Sequence, residues 1–137
     1  EQRGIGILFQ DDLLFPHLSA GANLAFGLAQ SVSGREARRQ RVAEALVEAD
    51  LSGFEERDPA TLSGGQRARV ALMRTLLAAP KALLLDEPFS KLDSDLRREF
   101  RRFVFDRAIV KRLPVLLVTH DASDAEAANG RIVKLAS

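Results

Sequence analysis

Two acids stand together at the end of a run of leucines, in Ala82-Leu-Leu-Leu-Asp86-Glu87-Pro88. A buried strand has every physical reason to exclude charge, because a carboxylate taken from water without a partner is costly. Two further apolar runs end in the same way: Ile5 to Phe9 is followed by Gln10, and Pro114 to Thr119 by His120. In an open parallel sheet, ligands bind at the carboxyl ends of the strands. If the three runs are neighbouring strands, an amide, two carboxylates and an imidazole converge on one edge. Such a convergence would mark that edge as a candidate site. Taken singly, each has an ordinary structural role as a loop residue, a helix cap or a satisfied histidine.

A different signal lies in Leu62-Ser-Gly-Gly-Gln66, ahead of the helical pattern of Val70, Met73 and Leu77. Ser63 and Gln66 have the spacing of a capping box, worth about 1 kcal/mol to a helix. Gly64 and Gly65 are poor helix formers, and an acid in that first turn would serve stability better. Two glycines leave backbone N–H groups uncovered at the positive end of a helix. That makes an anion site, with phosphate as the expected anion and the Ser63 hydroxyl as a further donor.

These groups need elements to hold them. Strands are expected at Ile5–Phe9, Ala82–Asp86 and Pro114–His120, the last two buried on both faces, and a final one at Arg131–Leu135. A weak helix is expected around Asn23–Leu28. Ser33 and Glu36 have the capping-box spacing ahead of a helix with Val42, Ala45, Leu46 and Ala49 on its apolar side. Asp58, Pro59 and Ala60 break the pattern, and the Ser63 helix runs to about Ala79, with Pro80 beyond its end. Asp93 or Ser94 caps a further helix through Lys111, with Leu96, Phe100, Phe103 and Val104 inward, and Asp121 to Ala128 is a short acidic helical turn. Strands alternating with helices predict parallel pairing and an α/β sheet.

Composition sets the outer bounds. The 137 residues are 46% hydrophobic with net charge +1, an ordinary globular profile with no global pull towards nucleic acid or anionic membrane. There is no cysteine, which excludes a disulfide framework and a thiolate metal site. No apolar run approaches the roughly 20 residues that span a bilayer as a helix.

Together the motifs resemble the nucleotide-binding subunit of ATP-binding cassette transporters. Gln10 in GILFQ resembles that family's Q-loop, LSGGQRARVALMRTLLAAPKALLLDEP its signature motif running into Walker B, Ser90–Asp93 its D-loop, and Val118–Asp121 its switch-histidine loop. The resemblance implies a partial P-loop NTPase-like (RecA-like) parallel sheet with an inserted α-helical signature subdomain. Residues 1–10 would be a core strand and the start of the Q-loop, 11–79 the helical subdomain, and 80–137 the later part of the ATPase core. ATP and Mg²⁺ are the implied cofactors. Asp86 would hold Mg²⁺, Glu87 would polarise the attacking water, and His120 would contact the γ-phosphate. Gln10 would sense Mg²⁺ and that water, and Asp93 would communicate across a dimer interface. Ser63, Gly64, Gly65 and Gln66 would bind the γ-phosphate of ATP held by the other subunit of a homodimer or equivalent pair.

The short helical insert without a coiled coil is similar to bacterial importer subunits. This implies transmembrane permease subunits, a solute-binding protein and a place on the cytoplasmic face of the membrane, with no nucleic-acid partner. Phe15, Pro16, His17 and Leu18 are the candidates for the groove that receives the permease. The family's phosphate loop, G-x-x-x-x-G-K-S/T, does not occur in these residues. It should lie upstream of Gln10, so the chain is expected to be the carboxyl-terminal part of an ATPase. Alone it is expected to bind ATP poorly, to be inactive, and to self-associate through a raw sheet edge. Lys91 stands where the D-loop usually has a small residue, and Ala22 where importers often have an acid. The competing readings are a non-transport ATPase of the same type and a non-catalytic dimerisation module.

Overall fold

The three apolar runs that end in polar residues do pair with one another. In the computed structural model, which describes residues 4–9 and 14–136, β1 (Ile5–Phe9), β2 (Ala82–Asp86) and β3 (Val115–Val118) form one parallel sheet in that order. The register sets Phe9 beside Asp86 and Asp86 beside Val118, so all three carboxyl ends lie on one edge. Between β1 and β2 come α1 (Ala20–Gly27), α2 (Arg35–Glu48), a 3₁₀ turn (Pro59–Thr61) and α3 (Gly64–Leu77). α4 (Ser94–Val110) joins β2 to β3, and α5 (Ala122–Ala127) follows β3.

Local chemistry accounts for the helix starts. Ser19 accepts from the Ala22 N–H at 3.1 Å to open α1. Ser63 and Gln66 make the reciprocal capping box of α3, and Asp93 accepts from the Leu96 N–H at 3.1 Å to open α4. Ser33 and Glu36 do not make the expected box. Gly34, at φ 91°, is the N-cap of α2, so Glu36 falls at the second helical position rather than the third and cannot reach back.

One hydrophobic core joins the helices to a single face of the sheet. Val42, Ala45, Leu46, Val70, Met73 and Leu77 are buried with Leu8, Leu83, Leu85, Phe100 and Val104. Phe89 meets Phe100 and Phe105 edge to face, at 5.9 Å in each case. Asn23 is fully buried and uses its whole amide: it accepts from Phe15 N–H (2.8 Å) and Arg74 Nη1 (3.2 Å), and donates to the carbonyls of Phe15, Leu18 and Ser19.

Two expectations fail here. β2 and β3 are not buried on both faces. In a β-strand, side chains alternate between faces. Leu8, Leu83 and Leu85 are buried, while Ile5, Ile7, Phe9, Leu116 and Val118, on the opposite face, are between 42% and 64% exposed. The cause is handedness. Right-handed crossovers that step β1 to β2 to β3 in one direction put every connecting helix on the same side. Nor do Arg131 to Leu135 form a strand. Their apolar residues are strand-like in type, but a strand exists only by pairing, and Ile132, Val133 and Leu135 stand exposed.

The open apolar face gives the expected self-association a different origin from a bare edge. Apolar patches of this kind are uncommon on monomers. Sedimentation of the 137-residue chain should show mass rising with concentration, and Ile7→Lys combined with Leu116→Lys should return a monomer. A parent that stays monomeric at high concentration would show that water tolerates this face.

Candidate functional site

The carboxyl end of β2 turns sharply. Asp86 completes the strand, and Glu87 sits at φ 48°, in the left-handed region that side chains other than glycine rarely adopt. The turn is held by the next strand, since the Glu87 N–H donates to the Val118 carbonyl at 2.9 Å. Its carboxylate then meets the loop after β3. Glu87 Oε1 accepts from the His120 backbone N–H at 3.0 Å and lies 2.8 Å from His120 Nδ1. Oε2 makes no hydrogen bond to any described residue, which leaves it free to accept from a water.

The same contact raises the pKa of His120 above its ordinary value of 6.5: first through the Glu87 hydrogen bond, then through that carboxylate's charge. The imidazole is 78% exposed, whereas the Glu87 side chain is only 23% exposed. With Nδ1 committed to Glu87, Nε2 is the nitrogen left to face a ligand, and it is a donor whenever the ring is protonated.

Asp86 and Glu87 are not part of a preformed metal cage. Among the described residues no three His, Cys, Asp or Glu side chains gather in a group able to hold a metal. This donor set fits Mg²⁺, which is commonly bound through one or two carboxylates, water and substrate phosphates. Asp86, half-buried at the strand end, is the candidate for that carboxylate. Gln10 lies outside the described residues.

The Ser63 turn is built as expected, and among the described residues no hydrogen bond or ion pair joins it to the Glu87–His120 pair. Gln66 Oε1 accepts from the Ser63 N–H at 2.9 Å, and Ser63 Oγ accepts from the Gln66 N–H at 3.2 Å. Of the four N–H groups that start a helix, those of Gly64 and Gly65 remain, and neither has a partner among the described residues. The two glycines have different reasons. A Cβ on Gly65 would lie 3.2 Å from Leu96 Cδ2, so that glycine lets α4 approach. A Cβ on Gly64 would meet only Leu92 Cδ2 at 3.8 Å, an ordinary contact, so packing does not require glycine there.

Asp93 is exposed at the start of α4, where its observed role is the helix cap. Sequence reasoning missed the cluster beside His120. Asp124 in α5 is 1% exposed and takes both Arg97 and Arg101 of α4. The only signal was the acidic stretch after His120, and nothing in its spacing marks Asp124 as the acid that turns inward.

Two outcomes follow. The raised His120 pKa means the Glu87 contact stabilises the fold fully below the ordinary value of 6.5 and less as pH rises through the folded-state value. Melting temperatures of parent and His120→Gln should therefore differ most near about pH 6 and converge towards about pH 9. A difference that grows with pH would contradict the contact. Gly64→Ala should raise stability by about 0.4–1 kcal/mol, because the backbone is helical and the space is open. A large loss in denaturant unfolding would mean the site is tighter than the geometry says.

Comparison with known proteins identifies the family. The family model described as ABC transporter matches residues 1–90. The chain is 57% identical over 126 residues to the uncharacterised ABC transporter ATP-binding protein YnjD of Escherichia coli K12, covering 92% of this chain and 58% of that protein. It is 47% identical over 135 residues to the Fe(3+) ions import ATP-binding protein FbpC 1 of Haemophilus influenzae, covering 97% of this chain and 40% of that one. The chain thus spans little more than half of one relative and less than half of the other. Among solved structures, it is similar to the ATP-binding cassette MJ0796 in a dimeric post-hydrolysis state bound to ADP and Pi. There the TM-score is 0.73 and the identity 34%, over 90% of this chain and 55% of that one. It is also similar to cbiO1 of Clostridium perfringens, part of the ABC transporter complex cbiONQ, with TM-score 0.76 and 31% identity over 86% and 47% of the two chains. With an α/β parallel sheet, the Ser63 turn and the Glu87–His120 pair on one scaffold, and a family match across most of its length, the chain belongs to the ABC transporter family.

Proposed function

We propose that this chain carries the water-activating part of an ATP-hydrolysing transport subunit. The observation that carries the reading is the Glu87 carboxylate, held at the end of β2 with one oxygen tied to His120 and the other open. Glu87 Oε2 orients the attacking water and takes up its proton, while His120 Nε2 steadies the phosphoryl oxygens. Asp86 supplies a carboxylate for Mg²⁺, an ion that neutralises charge on the phosphates when bound. The Gly64 and Gly65 N–H groups and the Ser63 hydroxyl face the γ-phosphate of ATP on a second subunit, with Gln66 holding the turn, Asp93 at the interface, and Gln10 near the metal and water.

Support for the shared site comes from two facts: no hydrogen bond or ion pair among the described residues joins the Ser63 turn to Glu87 or His120, and the similar MJ0796 cassette is a dimer. The phosphate loop is not among these 137 residues, so ATP is held only when that segment is supplied. On this reading residues 1–10 and 80–137 are core, and 11–79 the helical signature subdomain.

The transport partner is a permease. Phe15 packs edge to face on Phe26 at 4.8 Å, Phe26 is 69% exposed, and buried Asn23 pins the Phe15 backbone on both sides. With Pro16, His17 and Leu18 this makes a fixed surface for a partner helix. Import is the favoured direction because an Fe(3+) import protein is among the similar relatives. A solute-binding protein and a position on the cytoplasmic face of the membrane accompany that assignment.

The test uses the chain joined behind the phosphate-loop segment of a relative. Mg-ATP turnover should appear in the fusion and be absent from the chain alone. Glu87→Gln should lower turnover by about 10²–10⁴-fold while ATP still drives dimerisation. Parental turnover in that variant would remove Glu87 from its role. Phe15→Ala should spare turnover and weaken permease capture, and unchanged capture would remove the docking surface.

A further inference from the structure

Helix α5 is held to the rest of the molecule in an unusual way. Its six residues bury only one side chain, and that side chain is a carboxylate, Asp124. Asp124 Oδ1 accepts from Arg101 Nη1 at 2.8 Å and from Arg97 Nε at 3.2 Å, and Oδ2 accepts from Arg97 Nε at 3.2 Å and from Arg97 Nη2. Arg97 Nη2 also lies 3.3 Å from Asp121 Oδ2. Asp121 is itself fixed as the α5 cap, accepting from the Ser123 and Asp124 N–H groups at 2.8 and 3.2 Å. A buried ion cluster contributes little net stability compared with apolar packing, but the rigid guanidinium fork fixes direction.

The cluster begins at the residue after His120. Thr119 and Asp121 flank His120, and the Thr119 hydroxyl accepts from the Asp121 N–H at 3.1 Å. At its other end, Arg97 lies in the first turn of α4, whose Leu96 packs against Gly65 of the Ser63 turn. We propose that Asp124, clamped by Arg97 and Arg101, is a positioning residue that sets the His120 loop against Glu87. No apolar anchor in α5 substitutes for it, so loosening the clamp lets the loop leave Glu87 while the core stays folded. The inference rests on the role given to His120 above only for its consequence in turnover; the positioning itself is a property of the nucleotide-free chain.

The chain has two histidines, His17 and His120, which makes the imidazole signals simple to assign by NMR. The charged groups acting on His120 are Glu87 and Asp121, which favour its protonated form, and Arg97, which opposes it. Removing the Arg97 charge alone would therefore raise the midpoint of His120. The clamp predicts the reverse: Arg97→Gln lowers the midpoint towards 6.5, as contact with Glu87 is lost, and speeds exchange of the His120 amide severalfold relative to the amides of β2. Arg97→Lys, which keeps the charge without the fork, should recover only part of the shift.

A raised or unchanged midpoint in Arg97→Gln overturns the proposal, as does exchange that quickens equally throughout the chain. Should that variant fail to fold, Arg101→Lys carries the same comparison with the charge retained. None of these measurements depends on hydrolysis. A failed clamp is thus distinguished from a failed catalytic assignment, which the turnover of the phosphate-loop fusion decides separately.

Discussion

The handedness of the two crossover connections shapes most of this structure. Parallel strands cannot be joined by a tight turn, so each step from β1 to β2 and from β2 to β3 requires a helix-bearing crossover, and right-handed crossovers of the same sense place their helices on one face. The consequence is a core with one covered side, made by Leu8, Leu83 and Leu85 against α3 and α4, and an apolar side with Ile7, Phe9, Leu116 and Val118 turned outward. The same topology points all three strands in one direction. Their carboxyl ends are thus collected on one edge, the edge at which open parallel sheets bind ligands.

Within that edge, the placement of Glu87 depends on a small departure from ideal backbone. Glu87 at φ 48° costs about 1–2 kcal/mol relative to an ordinary conformation, and the hydrogen bonds from its N–H to Val118 and from the His120 N–H to its carboxylate oppose that cost. The result is a carboxylate anchored at one oxygen rather than a freely rotating side chain. On the far side, Asp124 is buried with two arginines, and a buried charge deprived of a partner typically costs 3–5 kcal/mol. The loop that presents His120 is therefore bracketed by two carboxylates, one partly exposed and one buried.

Much of this was legible in the residues. The bounds of β1 and β2, the Ser63–Gln66 box and the Asp93 cap are local features, set by side chains within four residues of each other, and all are present. The motifs at the strand ends pointed to Asp86, Glu87 and His120 without any knowledge of distance. The misses are of another kind. Ser33 and Glu36 had the right spacing, but Gly34 took the cap by a backbone choice that spacing does not encode. The apolar character of Ile132, Val133 and Leu135 predicted a strand whose existence depended on a neighbour. Asp124 looked like one more solvated acid in an acidic turn.

The sequence by itself marked the candidate groups and most of the helix and strand segments, because caps, side-chain periodicity and chain-order motifs act over a few residues. Tertiary structure alone decided that Glu87 and His120, 33 residues apart, share a hydrogen bond. It also decided that Arg97 and Arg101 enclose Asp124, and that one face of the sheet is covered while the other is open. Each of these depends on how distant elements pack. An acid's burial and a strand's pairing are properties of what lies across from them.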